Sequence, residues 1–366
     1  MFSFFSHARL SYEQKQKIKH WWLTIAFVGG FALDAITLGR VDQGFAFLSL
    51  SGHVLNAGVS LAVLYAATAG RFPEGFRTLA LRFAPLLVQF SFGSLLSGTL
   101  VFYAQSGSWS VSWPFFALVL AVMIGNEAVR DRTQQLLFNL AIFYLGIFSY
   151  CILFIPVVFE RMGVWVFLVS GGAALLAIGM YVKVLRFIIP HFIELHLRGI
   201  VFSLGMIFCT LNFLYFMNII PPIPLSLKHI DIYHRVEKAA DGYELTYEKA
   251  PWWKFWREAD TTFRREGGEP VYCFASVFAP TAFSLNILHH WEYYDAAQGG
   301  WVTQGKIPYH IEGGSDTGYR GYSYLQNTHD GSWRCTVETE RGQALGRESF
   351  TIKTEKLEGE LVTRKE

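Results

Sequence analysis

The sequence is poor in charge. Only 16% of its 366 residues are Asp, Glu, Lys or Arg, against about 25% in typical soluble domains. The formal net charge is +2 and the chain has no basic run, so we expect no nucleic-acid partner. A nucleophile elbow, a phosphate-binding Gly loop, a Cys-x-x-Cys pair and paired carboxylates are also missing. These absences speak against an enzyme, and we expect no cofactor.

What the sequence has is apolar: 52% of the residues are hydrophobic and 17% are aromatic. This composition indicates a polytopic membrane protein. Residues 1–222 consist of apolar segments with short polar breaks, whereas residues 223–366 have an ordinary soluble composition. Pro221, Pro222 and Pro224 mark the boundary, because proline cannot continue a helix.

A membrane-spanning helix needs about 20 mostly apolar residues. Residues 22–222 are therefore predicted to form a transmembrane domain of seven helices: 22–39, 45–69, 83–105, 113–129, 135–158, 163–183 and 199–220. Residues 1–21 are expected to form a cytoplasmic helix that starts at a capping box, Ser11 to Gln14. No small-residue cleavage site indicates a signal peptide.

Lysine and arginine predict the orientation, because they favour the cytoplasmic side. The N-terminus and alternate loops carry twelve of them, and the opposite loops carry only Arg40 and Arg161. We therefore expect a bacterial inner (plasma) membrane protein with a cytoplasmic N-terminus. Seven spans place residues 223–366 in the periplasm; a change of one span would reverse this.

Residues 271–353 are predicted to form an immunoglobulin-like antiparallel β-sandwich, because short alternating strands are separated by turn signals without a helical stretch. Residues 223–270 are expected to connect this domain to the membrane. Residues 354–366 are expected to be a disordered charged tail.

The order Cys273, Trp291, Cys335 is typical of immunoglobulin domains, in which a disulfide between facing strands packs on a tryptophan. Two interpretations are open: a disulfide in an oxidising compartment, or two small buried residues without a bond. Cys151 and Cys209 lie within predicted spans, where we expect them only to pack.

Residues 222–353 resemble the bacterial domain-of-unknown-function family numbered 2914. The segments that carry the likeness are PPIPLSLKHIDIYH (221–234), VYCFASVFAPT (271–281), HHWEYYD (289–295), GGSDTGYRGYS (313–323) and GSWRCTVETERGQALGR (331–347). The family typically has an apolar β-branched residue where this chain has Cys335. The resemblance implies a C-terminal β domain on a polytopic membrane protein, and it implies no catalytic residue.

Asp34 is an ionisable residue inside the first predicted span. At about 1.5 Å per residue it lies at the same depth as His53 in the second span, with Asn56 one turn away. Such groups are costly in a membrane and often functional, for example in proton relays. The alternatives are a structural hydrogen bond between two helices and a pair that never meets.

The segment PWWKFW offers Trp252, Trp253 and Trp256 between the last span and the β domain. These aromatics suit the headgroup layer of a bilayer. A hydrophobic plug between the domains and stacking on a glycan are the alternatives.

Two other polar groups are expected to have no chemical role. His191 and Glu194 have helical i, i+3 spacing but no third ligand on their face, so we expect no metal. Asn126 and Glu127 are expected to be a solvated helix end.

We therefore predict a non-enzymatic envelope protein, embedded in the lipid bilayer, whose external β-sandwich binds an envelope protein, a lipid or a cell-wall glycan. The alternative is a small transporter or a membrane-embedded enzyme that uses Asp34 and His53.

Overall fold

A computed structural model describes residues 11–38, 44–106, 109–128, 136–220, 225–239, 242–254, 257–279, 283–312, 318–357 and 359–366. The chain forms two compact units. The helical unit comprises Met1–Phe102 and Phe115–Leu214, and the β unit comprises Tyr103–Pro114 and Tyr215–Glu366.

The helices in the described ranges are α1 (Tyr12–Thr37), α2 (Gly44–Thr68), α3 (Glu74–Ser106), α4 (Trp109–Ala128), α5 (Leu136–Phe159), α6 (Val164–Ile188) and α7 (Pro190–Phe216). Five of the seven, α2, α3, α5, α6 and α7, are long and apolar enough to cross a membrane. The apolar part of α4 is shorter, Ser112–Asn126.

The helix ends follow local signals only in part. Ser11 and Gln14 form the predicted capping box: the Ser11 hydroxyl accepts from the Gln14 N–H at 3.2 Å, and the Gln14 side chain accepts from the Ser11 N–H at 2.9 Å. However, α1 continues without a break, so the expected N-terminal helix and first span are one helix. Only Ile189 separates α6 from α7, where we expected a loop over residues 184–198.

The strands among the described residues are β1 (Ser226–Tyr233), β2 (Arg235–Ala239), β3 (Gly242–Glu248), β4 (Thr262–Arg265), β5 (Val271–Phe278), β6 (Ser284–Asp295), β7 (Gly300–Glu312), β8 (Tyr319–Leu325), β9 (Gly331–Thr339), β10 (Ala344–Thr354) and β11 (Leu361–Lys365).

These strands form three sheets, in the orders β1-β5-β8, β4-β10-β9-β6-β7 and β11-β3-β2. The pairs are antiparallel except for β4 and β10, which are parallel. The first two sheets share one buried core, because alternate side chains of both point into it. Its members are Ile232, Phe263, Val271, Cys273, Trp291, Trp333, Cys335, Phe350 and Ile352.

The β region is larger than we expected. The segment 223–270, which we expected to be a connector, contains β1 to β4, and β1 pairs with β5 along its length. The tail 354–366, which we expected to be disordered, contains β11, which pairs with β3 from Leu361 to Lys365. Both segments gain order from partners distant in sequence.

Candidate functional site

Asp34 is fully buried near the C-terminal end of α1. Its backbone oxygen accepts a hydrogen bond from the Leu38 N–H at 2.9 Å, which closes the helix. One turn earlier, the Ser94 hydroxyl of α3 donates to the Gly30 oxygen at 3.0 Å. α1 therefore contacts α3 one turn before Asp34.

His53 and Ser49 of α2 face the same carboxyl oxygen. His53 Nε2 lies 3.6 Å from Asp34 Oδ1, and the Ser49 hydroxyl donates to that oxygen at 3.4 Å. Ser49 and His53 are one turn apart, so both can reach it. The His53 ring packs against Phe90 with ring centroids 5.5 Å apart.

Asn56 does not join this pair. Its amide Nδ2 donates to the Ser91 hydroxyl oxygen at 2.7 Å and approaches the Leu87 carbonyl oxygen at 3.4 Å, both on α3. Three residues of helix rotate a side chain by about 300°, so Asn56 points about 60° away from His53. His53 and Asn56 thus lie on one side of α2 but contact two different helices, α1 and α3.

The Asp34–His53 contact, at 3.6 Å, is longer than a hydrogen bond. Asp34 Oδ2 is buried and has no hydrogen-bond partner among the described residues. A buried carboxyl group with one free oxygen beside an imidazole is costly to keep in an apolar interior. The same contact also joins α1 to α2, so a structural role uses the same atoms.

Cys273 of β5 and Cys335 of β9 form a disulfide that joins the two sheets of the shared core. Both residues are fully buried. Cys335 lies opposite Trp291 of β6, and the Trp291 side chain is also fully buried. Of the other two cysteines, Cys151 is buried and Cys209 is exposed, and both are free.

His289 lies in the same core. Its Nδ1 is 2.8 Å from the Ser323 hydroxyl oxygen, which also accepts from Trp291 Nε1 at 2.9 Å. Its Nε2 has no hydrogen-bond partner among the described residues. Burial lowers the pKa of His289 to about 3, because the charged form loses its hydration.

Within the described ranges, one group could supply ligands for a metal: Cys273, His289 and Cys335, whose ligand atoms lie within 4.8 Å of one another. Zinc and other soft metals bind the thiolate of cysteine. Because the two sulfurs are bonded to each other, neither is available as a thiolate. The residues therefore do not fit a metal in this state.

The predicted aromatic cluster is exposed where the structure describes it. The side chains of Trp252 and Trp253 are 86% and 58% exposed, with ring centroids 6.0 Å apart. Lys254 donates to Asp260 at 3.0 Å and to Thr261 at 3.1 Å. Trp256 lies outside the described residues.

Asn126 differs from our expectation of a solvated helix end. It is fully buried, and its Nδ2 donates to Gln89 Oε1 on α3 at 2.8 Å. The side chain of Glu127 lies outside the described part. Glu194 pairs with Arg186 at 2.8 Å.

The outer face of the five-stranded sheet contains an ion pair that sequence reasoning missed. Arg334 Nε and Nη2 donate to the two carboxylate oxygens of Glu292 at 2.6 and 2.8 Å, and the guanidinium lies 4.2 Å from the Trp301 ring centroid. Burial raises the pKa of Glu292, but the hydrogen bonds and charge of Arg334 outweigh it and leave the pKa below its usual value. The alternating polar residues of β9 were the available signal.

The two units define a class of protein: a set of long apolar helices followed by a C-terminal region of β-sheets. Residues 285–352, which run from β6 into β10, match the family described as "Protein of unknown function (DUF2914)". The resemblance drawn from the sequence is thereby confirmed. The family description names no activity.

No curated protein matches the chain. Among solved structures, the chain is similar to Pseudomonas fluorescens alkylpurine DNA glycosylase AlkC bound to DNA containing an abasic site analog. The identity is 12%, the TM-score is 0.22, and the match covers 93% of this chain and 97% of that one. We draw nothing about the fold or the function from a match with so low a score.

Proposed function

We propose that this chain is a non-enzymatic integral membrane protein of the bacterial envelope. It crosses the inner membrane seven times, α1 and α4 being spans together with the five longer apolar helices. Its N-terminus is cytoplasmic and its β unit is periplasmic. The five helices support insertion, and the distribution of Lys and Arg supports the orientation.

The Cys273–Cys335 disulfide is the observation that carries the periplasmic placement. Disulfides persist in the periplasm and are rare in the cytosol. A buried bond between the two sheets also supports an immunoglobulin-like sandwich, since Trp291 lies beside it as in that fold. Modules of this kind usually bind, which is an analogy from fold.

The β unit then binds a lipid, a cell-wall glycan or an envelope protein. Exposed aromatic side chains support this role, because large apolar groups on a surface mark interaction sites. Trp252 and Trp253 can sit in the headgroup layer or stack on sugar rings.

Labelling tests the orientation. Glu366→Cys, in a Cys151→Ala/Cys209→Ala background that keeps the disulfide, introduces one free cysteine, which should react in intact cells with a membrane-impermeant maleimide. The matched variant Lys19→Cys should react only after the cells are opened. If intact cells label the cysteine at position 19 and not the one at position 366, the proposed topology is reversed.

Binding is tested with the full chain in nanodiscs. Trp252→Ala and Trp253→Ala together should weaken retention on isolated cell-wall material or on vesicles of phosphatidylglycerol. Trp165→Ala removes an equally exposed tryptophan from α6 and should change nothing. Equal retention of both variants would remove this surface from the proposal.

The second candidate is a small transporter or membrane-embedded enzyme, and the Asp34–His53 contact favours it. Asp34→Asn keeps the shape of the side chain and replaces the carboxyl group by an amide. If the protein is a transporter or enzyme of this kind, the variant accumulates and melts as the wild type does, yet loses a pH-dependent growth or uptake function. Failure to accumulate supports a structural hydrogen bond instead.

A further inference from the structure

A groove lies between α4, α5 and α7 in the helical unit. Its first part, the apolar part, has a volume of about 420 Å³ and is lined by all three helices, with Gly125 on α4 and Thr210 on α7. Its second part, the polar end, has a volume of about 510 Å³ and lies between α5 and α7. Phe138 and Ala141 of α5 line both parts, so the two parts adjoin each other.

The apolar part suits hydrocarbon and not water. Of its twelve lining residues, Thr210 is the one with a polar side chain. Apolar cavities stay dry, and close-packed interiors tolerate few empty spaces larger than a water molecule. Met206, another lining residue, is 52% exposed, so the apolar part opens onto the outer surface of α7, a helix long and apolar enough to span a membrane.

The polar end offers two hydrogen-bonding groups. His196 Nδ1 lies 2.9 Å from the Phe192 carbonyl oxygen. His196 Nε2 and the Ser203 hydroxyl have no hydrogen-bond partner among the described residues. His196 and Ser203 are seven residues apart on α7, so they lie on the same side of the helix. The hydroxyl can donate to a phosphate or ester oxygen. Nε2 can donate when the ring is charged, and can accept from a headgroup hydroxyl when it is neutral.

The lining matches one leaflet of a bilayer in length. Along α5 it runs over nine residues from Leu136 to Leu145, which is about 14 Å at about 1.5 Å per residue. This is about half of a hydrocarbon core of about 30 Å. Leu136, at the polar end, is the first residue of α5. The groove therefore has a polar end at one end of α5 and an apolar part of leaflet depth beyond it.

We propose that this groove binds one membrane phospholipid. One acyl chain lies in the apolar part, and the oxygens of the ester and phosphate groups meet Ser203 and His196. The inference rests on the membrane placement in the proposed function. In the proposed orientation α5 begins on the cytoplasmic side, so the lipid belongs to the cytoplasmic leaflet. The site is formed by the helical unit and does not involve Trp252 or Trp253.

Photolabelling tests the position of the lipid. The full-length protein is placed in nanodiscs of phosphatidylglycerol, a small share of which has a diazirine at the end of one acyl chain. After illumination, peptide mapping should find the label on residues 118–125, 138–145 and 206–211, at several times the level on the exposed face of α6 around Leu176 and Met180.

A variant that fills the groove tests its specificity. Nothing lies within 4 Å of a Cβ atom at Gly125, so Gly125→Phe starts a side chain in open space within the apolar part. It should reduce labelling of the three segments to the level on α6. Gly179→Phe is the matched control, because Gly179 of α6 is equally open and does not line the groove. A thermal melt checks both variants, and Gly125→Leu replaces Gly125→Phe if the larger side chain lowers the melting temperature.

The polar end is tested by binding of phosphatidylglycerol to the full chain in detergent, measured by native mass spectrometry. Ser203→Ala should weaken binding about five-fold, as the loss of one hydrogen bond does. Ser170→Ala, whose hydroxyl bonds to the Val166 oxygen in its own helix, should leave binding unchanged. Equal affinities of Ser203→Ala and the wild type would overturn the assigned position of the headgroup.

Two results would overturn the site as a whole: equal labelling of the groove segments and α6, or wild-type labelling of the Gly125→Phe protein. A wild-type dimer in nanodiscs that Gly125→Phe converts to a monomer would assign the groove to a second copy of the chain instead. A chain that does not enter nanodiscs would refute the membrane placement itself. Failure of the proposed function is thereby distinguished from failure of the lipid site.

Discussion

Gly30 of α1 and Gly93 of α3 each lie against the backbone of the other's helix. A Cβ atom on Gly30 would be 2.0 Å from the carbonyl oxygen of Phe90, and one on Gly93 would be 2.0 Å from that of Phe27. Real side chains cannot occupy that space, so glycine is required at both positions. This close approach sets the position of α1 and of Asp34 one turn beyond Gly30.

Gly30→Ala is therefore expected to destabilise the helical unit. The added methyl group meets backbone, which cannot move aside as a flexible side chain can, and overpacking costs about 1–3 kcal/mol. Thermal unfolding of the full chain in detergent measures it. Gly29→Ala is the matched control, because nothing lies within 4 Å of its Cβ, and alanine favours the helix by up to about 1 kcal/mol. Equal melting of the two variants would show that α1 and α3 are further apart.

The disulfide should stabilise the β unit mainly by restricting its unfolded state. The two cysteines are 62 residues apart, and a loop of that length corresponds to about 4 kcal/mol in the chain-entropy description. A Cys273→Ala/Cys335→Val variant keeps much of the packing and loses the bond.

Urea unfolding of the full chain should show that loss, and peptide mapping without reductant should show the bond in the wild type. Cys209→Ala, at an exposed free cysteine, should leave unfolding unchanged. An unbonded Cys273 in the peptide map would instead support two unlinked buried residues.

Sequence patterns predicted elements that have their own signal. Residues 271–278 are an almost continuous apolar run and residues 332–339 alternate between polar and apolar side chains, and they are β5 and most of β9. The tail strand β11 has only Leu361 and Val362 as apolar residues, so it is a strand because β3 is beside it. The parallel pairing of β4 with β10 could not be predicted from the sequence either, since it depends on residues about 90 positions apart.

The candidate site, like the strands, could be predicted only in part. The equal depth of Asp34 and His53 in the bilayer was enough to suggest that they meet, because both are rare ionisable groups in consecutive helices. Depth says nothing about rotation around the helix axis, so the contact of Asn56 with Ser91 could not be foreseen. The distance between α1 and α3 depends on Gly93. A glycine in the sequence indicates close helix packing but does not show which helix packs against it.

The Glu292–Arg334 pair should couple strongly. Its side chains are only 10% and 17% exposed, and removing one partner of a buried pair costs about 3–5 kcal/mol because the other charge is left unpaired. Arg334→Leu should therefore be worse than the double variant Glu292→Leu/Arg334→Leu.

A double-mutant cycle on urea unfolding measures the coupling. Arg235→Leu breaks an exposed pair with Glu237 and should cost at most about 1 kcal/mol. If the effects of the two single substitutions at Glu292 and Arg334 simply add, the pair contributes no coupling.

Acid should weaken the β unit through His289. The pKa of His289 is about 3 in the folded state, against about 6.5 in the unfolded chain. Between these two pH values the unfolded state therefore binds a proton that the folded state does not bind. The stabilisation is therefore full above pH 6.5 and falls as the pH drops towards 3, by about 2 kcal/mol at pH 5. His234, whose pKa burial lowers to about 4, acts in the same direction. Asp231 acts in the opposite direction, because burial raises its pKa to about 6.

Comparison of His289→Gln with the wild type isolates the contribution of His289 to the pH dependence, since both proteins contain His234 and Asp231. The variant should be less stable at pH 7.5, because it disturbs the contacts with Ser323 and Trp291, but its unfolding free energy should fall less between pH 7 and pH 5. The gap between the two proteins therefore narrows as the pH drops. His310→Gln, at an exposed position, should run parallel to the wild type. Parallel profiles for His289→Gln as well would mean that His289 titrates in the folded protein as it does in the unfolded chain.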